Sequence, residues 1–420
     1  MTIDTETQVS AGELFCDPAL WADMDTWHRE VAALRREHGV VPVADLPGFS
    51  PFWVLTRHAD VIAVSRDDTR WRTTPRAVIR PDADAHRIVD AGIPPPSSLV
   101  HLHGPDHRDH RAVTSDWFRP AAVAARQPRI DDIADLFVQR MRDLGGSCDF
   151  ACDIAQPYAL RVIMDVYGVP EHDEPLMLEL TRGIFGSADP EFVGDATDPA
   201  ARMLDSAARF AAYFDDLTAD RQAHPRDDLA TVIANGQVDG CPMDDRHRFW
   251  YFVIVATAGH DTTAYALSGG LEAMLRDPAQ LRALRDDPAL VANAADECIR
   301  WTSPVRHFLR HATEDTEVGG VAVPEGGRVL LSYPSANRDE EVFADASTFD
   351  VRRPDADKLV SFGAGAHFCL GVHVARRELR TMLARLGRHL DHIELAGEPS
   401  WAQSHFVSGV KHLPVTYRFR

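Results

Sequence analysis

Apolar residues recur at helical spacing through most of the chain. Residues 22–38, 57–65, 121–144, 157–167, 173–185, 200–222, 244–275, 290–301 and 372–386 predict helices, and a shorter one runs from Arg226 to about Ile233. Val169-Pro170 stops one of them and Gly236 another. Residues 40–43 and 52–56 read as strands around a turn at Pro47-Gly48, and Val318, 321–324 and 329–333 read as further strand pieces. Residues 391–419 predict short strands and turns. The stretch 244–275 is strongly apolar in its middle, so it predicts a helix through the core rather than on the surface. Residues 1–20 read as a loose leader, and 70–100 and 186–199 as irregular connections rich in Pro, Asp or Gly. No internal repeat or low-complexity linker divides the pattern. It predicts one mainly α-helical domain with small β-sheets over 1–420.

Composition narrows the class. The chain has 420 residues and is 45% hydrophobic, enough for a large core. Its formal charge of −20 argues against general nucleic-acid binding. The start lacks the basic and apolar regions of a signal peptide, and no run of 18 apolar residues occurs. The six cysteines (Cys16, Cys148, Cys152, Cys241, Cys298, Cys369) form no ladder of short spacings. Cys148 and Cys152 have no matching second pair, which argues against a structural zinc site. A reducing, cytoplasmic setting without membrane attachment follows as the expectation.

Candidate chemistry concentrates at Phe362-Gly363-Ala364-Gly365-Ala366-His367-Phe368-Cys369-Leu370-Gly371. The glycines permit tight turns, and a cysteine just before a helix meets unpaired N–H groups that favour its thiolate. A thiolate there can ligate haem iron; a buried structural cysteine is the plainer alternative. His107 and Arg111 share a helix face, which suits either a solvated basic surface or a carboxylate ligand. Ala258-Gly259-His260-Asp261-Thr262-Thr263 lies inside the apolar helix. Gly259 weakens that helix and Thr262 can bond back one turn, together predicting a local opening with room for a diatomic ligand. Glu297 and Arg300 lie three apart on another helix, a spacing common in solvated pairs.

The spacing Phe-Gly-x-Gly-x-His-x-Cys-x-Gly resembles the haem-binding signature of the cytochrome P-450 monooxygenases, with no departure at the signature positions. The resemblance covers the chain from about Trp27 to Phe419. It implies a triangular, prism-like fold with haem b between the central helix and the cysteine loop with its following helix. Cys369 would be the axial thiolate; Phe362, Gly363, Ala258 and Gly259 would flank the cofactor, and His107, Arg111, Arg310 and His367 would meet its propionates. Asp261 and Thr262 would handle protons for oxygen activation. Glu297, Arg300 and Arg353 would form a buried structural triad. The pocket would draw on Leu99, Val100, Val253, Ile254, Thr257, Phe308, Leu309 and Val407, with His307 nearby. Arg108, Arg119, Arg376, Arg377 and Arg380 would form a basic docking patch for an iron–sulfur ferredoxin, itself served by an NAD(P)H-dependent reductase. A monomer is implied.

Three runs, 173–178, 257–263 and 331–343, are similar to the bacterial alpha-terpineol hydroxylase family, whose members hydroxylate monoterpenes or alkyl-aromatic hydrocarbons. Trp301-Thr302-Ser303-Pro304-Val305 and His307-Phe308 resemble bacterial sterol and branched-lipid hydroxylases. The first resemblance implies oxygen insertion into a C–H bond of a small hydrophobic molecule, and the second a sterol or branched lipid instead. A peroxide-driven enzyme and a non-catalytic haem sensor are the remaining alternatives. Lys358-Leu359-Val360-Ser361 departs from the family by one apparent extra residue before the cysteine loop.

Overall fold

The stretch that is apolar all round does run through the centre. In the helix Asp261–Arg276 every residue from Thr263 to Leu275 is buried, as expected of a helix with no polar face to turn outward. The structure, a computed structural model, describes residues 10–90, 95–185, 189–193 and 199–420. Around the central helix pack the amphipathic helices Gln156–Tyr167, Val291–Thr302 and Val372–His389, and Gln127–Asp143 packs in turn on the first and last of these. Their apolar faces close into one core that draws residues from Phe118 to Tyr417. Among the described residues, no helix is long and apolar enough to cross a membrane.

Beside this core stands a five-stranded sheet in the order Val40–Val43, Phe52–Leu55, Arg328–Ser332, His307–Ala312, Trp71–Arg72. Only the pairing of Phe52–Leu55 with Arg328–Ser332 is parallel. Leu330 sits opposite Leu309 and Leu331 opposite Phe308, so Leu309 and Phe308 face opposite sides of the sheet. A three-stranded sheet joins Leu390–Leu395, Pro414–Phe419 and Ser147–Asp149.

Several expected elements take a different form. The supposed leader is partly built: Ser10 and Glu13 form a capping box for the helix Ala11–Cys16. Leu14, Phe15 and Trp21 then pack with Trp27 into a second core, and the Trp27 Nε1–H donates to the Leu14 carbonyl at 2.7 Å. Residues 1–9 lie outside the described residues. The expected connection 70–100 contains the helix Asp82–Asp90, with 91–94 outside the described residues. The expected connection 186–199 is described only at 189–193 and 199, where Pro190–Val193 makes one helical turn. The predicted helix 121–144 is two, Pro120–Ala125 and Gln127–Asp143. Pro128 near the second start explains the break, because proline has no N–H to continue the first ladder.

The predicted helix 244–275 is also divided, into Asp245–Ala258 and Asp261–Arg276. Gly259 has a packing reason that the sequence did not reveal. A Cβ there would stand 2.7 Å from Ile163 Cγ1 on the neighbouring helix. Its hydrogen face thus lets two helices approach.

The charged cluster Glu297–Arg300–Arg353 is almost wholly buried. Arg300 grips Glu297 with two bonds of 2.6 and 2.8 Å. Arg353 Nε and the Asp350 N–H reach the same carboxylate at 3.2 and 2.9 Å. Arg300 donates further to the carbonyls of Asn337 at 2.7 Å and Ala346 at 3.0 Å, and Arg353 Nη1 lies 3.5 Å from the Asp355 carboxylate. Asn337 extends the network: its Oδ1 accepts from the Val360 N–H at 2.7 Å, and its Nδ2 donates to Ser361 at 2.7 Å. Before the cysteine loop the chain makes a turn, Ala356–Lys358. Lys358 is exposed there, and its carbonyl meets His58 Nε2 at 2.9 Å.

Glu297→Gln keeps the shape but leaves buried Arg300 without a counter-charge and Arg353 with only Asp355, 3.5 Å away. We expect a loss of about 3–5 kcal/mol in denaturant unfolding; a loss below about 1 kcal/mol would contradict the account. Gly259→Ala should cost about 1–3 kcal/mol through overpacking. In an Ile163→Ala background the same change should cost much less, and an equal cost in both backgrounds would rule out the helix contact as its cause.

Candidate active site

The cysteine loop is a tight backbone construction. Gly363 and Gly365 both have φ of +69°, a region that penalises any side chain. A Cβ on Gly365 would also collide with the Ser65 carbonyl of the adjacent helix. The Gly363 N–H donates to Val360 at 2.8 Å, and the Cys369 N–H closes the loop on Phe362 at 2.9 Å. Cys369 is half-buried just ahead of the helix Val372–His389. Burial pushes its thiol up, and the N–H groups of Gly371 and Val372 and the Arg111 charge pull the other way. Arg111 Nη2 donates to the Phe368 carbonyl at 2.7 Å, tying the helix Gly104–Ser115 to the loop.

A cationic, donor-rich group gathers on one side of that loop. The His107 and His367 rings lie 4.4 Å apart, and His103 is 5.9 Å from His367. Burial, then Arg310, His107, His103 and Arg111, hold His367 down to about 2. His103 Nδ1 and His107 Nε2 are buried without a hydrogen-bond partner among the described residues. Arg310 is itself buried, and burial disfavours its charge. Orphaned donors and cations of this kind suit a ligand with carboxylate groups. With a glycine-turned thiol beside them, they fit a haem and its propionates. His103 is the member that the sequence had not singled out; nothing in its local spacing separates it from the other histidines of that run.

The central helix presents a facing surface. Ile254, Ala258 and Thr262 are four apart, and all three are accessible, while Val253, Ala256 and His260 between them are buried. Thr262 Oγ1 donates to the Ala258 carbonyl at 2.8 Å, spanning the interruption at Gly259-His260. Asp261 is partly accessible, with the buried His260 Nε2 3.2 Å from its Oδ1. A hydroxyl and a carboxylate thus stand side by side where the regular backbone ladder is broken.

The expected pocket wall is only partly assembled. Val407 pairs with Val305 in an isolated bridge, and the rings of Phe308 and Phe406 lie 5.6 Å apart. Leu99, Val100 and Thr257 are half-buried, and the Thr257 hydroxyl is turned back to the Val253 carbonyl at 2.8 Å. Leu309 does not belong to the wall: it is fully buried in the core with Phe52, Val54 and Leu330, on the opposite sheet face from Phe308. Val253 likewise lies inside the main core, while Ile254 takes the accessible position. His307 is a brace rather than a pocket residue. Its Nε2 accepts from the Ile79 N–H at 3.1 Å, which leaves Nδ1–H to donate to the His405 carbonyl at 3.0 Å.

The expected basic patch is thinner than its sequence. Arg376 is bound to Asp296 at 2.6 Å and Arg377 to Gln127 at 2.6 Å. Arg108, Arg119 and Arg380 are exposed; Arg119 pairs with Asp116 at 2.8 Å and Arg108 approaches Asp109 at 3.4 Å. The exposed ring of Phe368 lies in the cysteine loop itself.

Comparison with known proteins places this geometry. The family model "Cytochrome P450" matches residues 200–409. The chain is 38% identical to "Cytochrome P450-terp" of a Pseudomonas species, over 95% of each. It is 34% identical to "Methyl-branched lipid omega-hydroxylase" of Mycobacterium bovis, over 94% of this chain and 92% of the relative. It is 29% identical to "Steroid C26-monooxygenase" of Mycolicibacterium smegmatis, over 92% and 90%. The crystal structure of CYP108D1 from Novosphingobium aromaticivorans superposes with a TM-score of 0.91 at 36% identity, covering 97% of this chain and 98% of that one. The chain belongs to the cytochrome P450 family of haem-thiolate monooxygenases.

Proposed function

We propose that the chain hydroxylates a methyl-branched lipid or sterol side chain, holding haem b through Cys369 and drawing electrons from an iron–sulfur ferredoxin with its NAD(P)H-dependent reductase. The carrying observation is that relatives named for branched-lipid and steroid oxidation align over more than nine-tenths of the chain. Of the residues that resemble such enzymes, Val305 pairs with Val407 and the Phe308 ring lies against Phe406. The second reading, a compact terpene or alkyl-aromatic substrate, is favoured by the 38% identity to P450-terp.

Haem held by a thiolate supplies the redox chemistry that cleaves dioxygen and oxidises an unactivated C–H bond. The rest falls to the protein. His107, Arg111, Arg310 and His367 would anchor and orient the cofactor by its carboxylates. Ile254 and Ala258 would keep the reacting face dry and apolar. Thr262 gives up its bond to Ala258 and presents its hydroxyl to a water. Asp261, supported by His260, passes the proton from solvent to that water. Adjacent acid and alcohol groups serve this relay because their hydrogen bonds point in different directions. Exposed Arg108, Arg119 and Arg380 with Phe368 would receive an acidic electron donor.

The direct test is titration of the purified ferric protein with a methyl-branched fatty acid, a sterol, alpha-terpineol and p-cymene. We expect the low-to-high-spin change with the branched lipid or sterol at the lowest concentration. A change confined to the terpene or p-cymene would overturn this reading in favour of the second. Asp261→Asn should slow turnover by about 100-fold or more with unchanged substrate binding. Thr262→Ala should divert reducing equivalents from product to peroxide, and full coupling in that variant would contradict the proton relay.

A further inference from the structure

We propose that Asp149, Cys152 and His412 form a binding site for a divalent transition-metal ion of zinc type, built from elements that the cysteine loop does not share. The site lies where the strand Ser147–Asp149 meets the C-terminal strand, with Pro414 opposite Asp149. One ligand atom from each residue falls within 4.8 Å of the other two. Thiolate, imidazole and carboxylate together are a donor set that zinc accepts, with an open position left for water.

The local fold aims these atoms. Asp149 caps the π-helical turn Phe150–Ala155, a type of turn often found at functional sites. Its Oδ1 accepts the N–H groups of Ala151, Cys152 and Leu413 at 3.1, 3.3 and 2.9 Å. That fixes the carboxylate and turns Oδ2 toward His412 Nδ1, 2.6 Å away. Cys152 Sγ approaches the same nitrogen at 3.5 Å. Tetrahedral zinc with ligand bonds of about 2.0–2.3 Å needs ligand atoms about 3.5 Å apart. The sulfur–nitrogen pair already meets this, and the oxygen–nitrogen pair must open by about 1 Å.

A second observation supports a ligand role for the histidine. Its other nitrogen, Nε2, faces both oxygens of Glu191 at 2.8 and 3.0 Å. A carboxylate on the distal nitrogen is the usual way a metal-bound imidazole is oriented and made a stronger donor. Cys152 is exposed, so an ion and its water have access. Burial and the Asp149, Glu191 and Asp153 carboxylates push the thiol up to about 12; a cation among those carboxylates removes much of that penalty. Bound metal would tie the π-turn and the C-terminal strand to each other, and through Glu191 to the segment 189–193.

The test uses the haem-loaded, full-length protein after dialysis against a chelator, titrated with zinc chloride in a calorimeter. Zinc-edge X-ray absorption then reads the ligands without interference from haem iron. We expect one zinc per chain with one sulfur ligand and lighter atoms completing the shell. Cys152→Ser should remove the sulfur shell, and His412→Ala should weaken binding at least tenfold. Glu191→Gln should weaken it by about 10-fold. Unchanged haem absorption and melting in these variants would show that they fold. Absence of stoichiometric binding, or a sulfur shell that survives Cys152→Ser, would overturn the proposal.

Discussion

The arrangement depends on one buried carboxylate shared by two arginines. Glu297 is fully buried and takes Arg300, Arg353 and the Asp350 N–H on its two oxygens. Desolvating such a group is expensive, so its value lies less in net stability than in the single chain path that satisfies it. Arg300 reaches the Asn337 carbonyl, and the Asn337 side chain holds Val360 and Ser361. Phe362 follows directly and closes the loop on Cys369. The charge cluster at Glu297 thereby sets the position of Cys369, through hydrogen bonds that each fail if the segment shifts.

The opposite wall uses a defect in the same constructive way. The central helix is tightly packed beyond Thr263 but interrupted at Gly259-His260. Gly259 lets the helix approach Ile163, and Thr262 takes up the Ala258 carbonyl. An interior helix thus exposes one hydroxyl and one carboxylate without opening its core. Nearby, His103, His107, Arg111, Arg310 and His367 form a cationic group in which burial disfavours every added charge. Such a group would suit the carboxylates of a bound haem.

The parts legible in the sequence were those fixed by short spacing. The cysteine loop, the Glu297–Arg300 pair and the acid–alcohol step are local patterns, and the structure builds each as a local unit. Less legible were the choices that only tertiary contact makes. Periodicity cannot say which side of an apolar helix faces the cleft, so Val253 and Ile254 were both expected there, and only Ile254 is accessible. Strand alternation separates Phe308 from Leu309, yet both flanking faces are apolar. Arg376 and Arg377 read as surface charge, but their partners Asp296 and Gln127 lie far back in the chain. The terminal Trp21 and Trp27 core escaped notice because its sheet partners, Phe52 and Leu330, are remote in sequence. His412 and Cys152 are 260 residues apart, so no spacing rule brings them together.

The central claim is that Cys369, placed by this network, is the haem-iron ligand. The carbon monoxide difference spectrum of the reduced protein tests it most directly. The wild-type chain should give the strongly red-shifted Soret band of a thiolate-ligated complex, and Cys369→Ser should lose that shift while still folding. A red-shifted band that survives Cys369→Ser, or a wild-type haem protein that never shows it, would contradict the account.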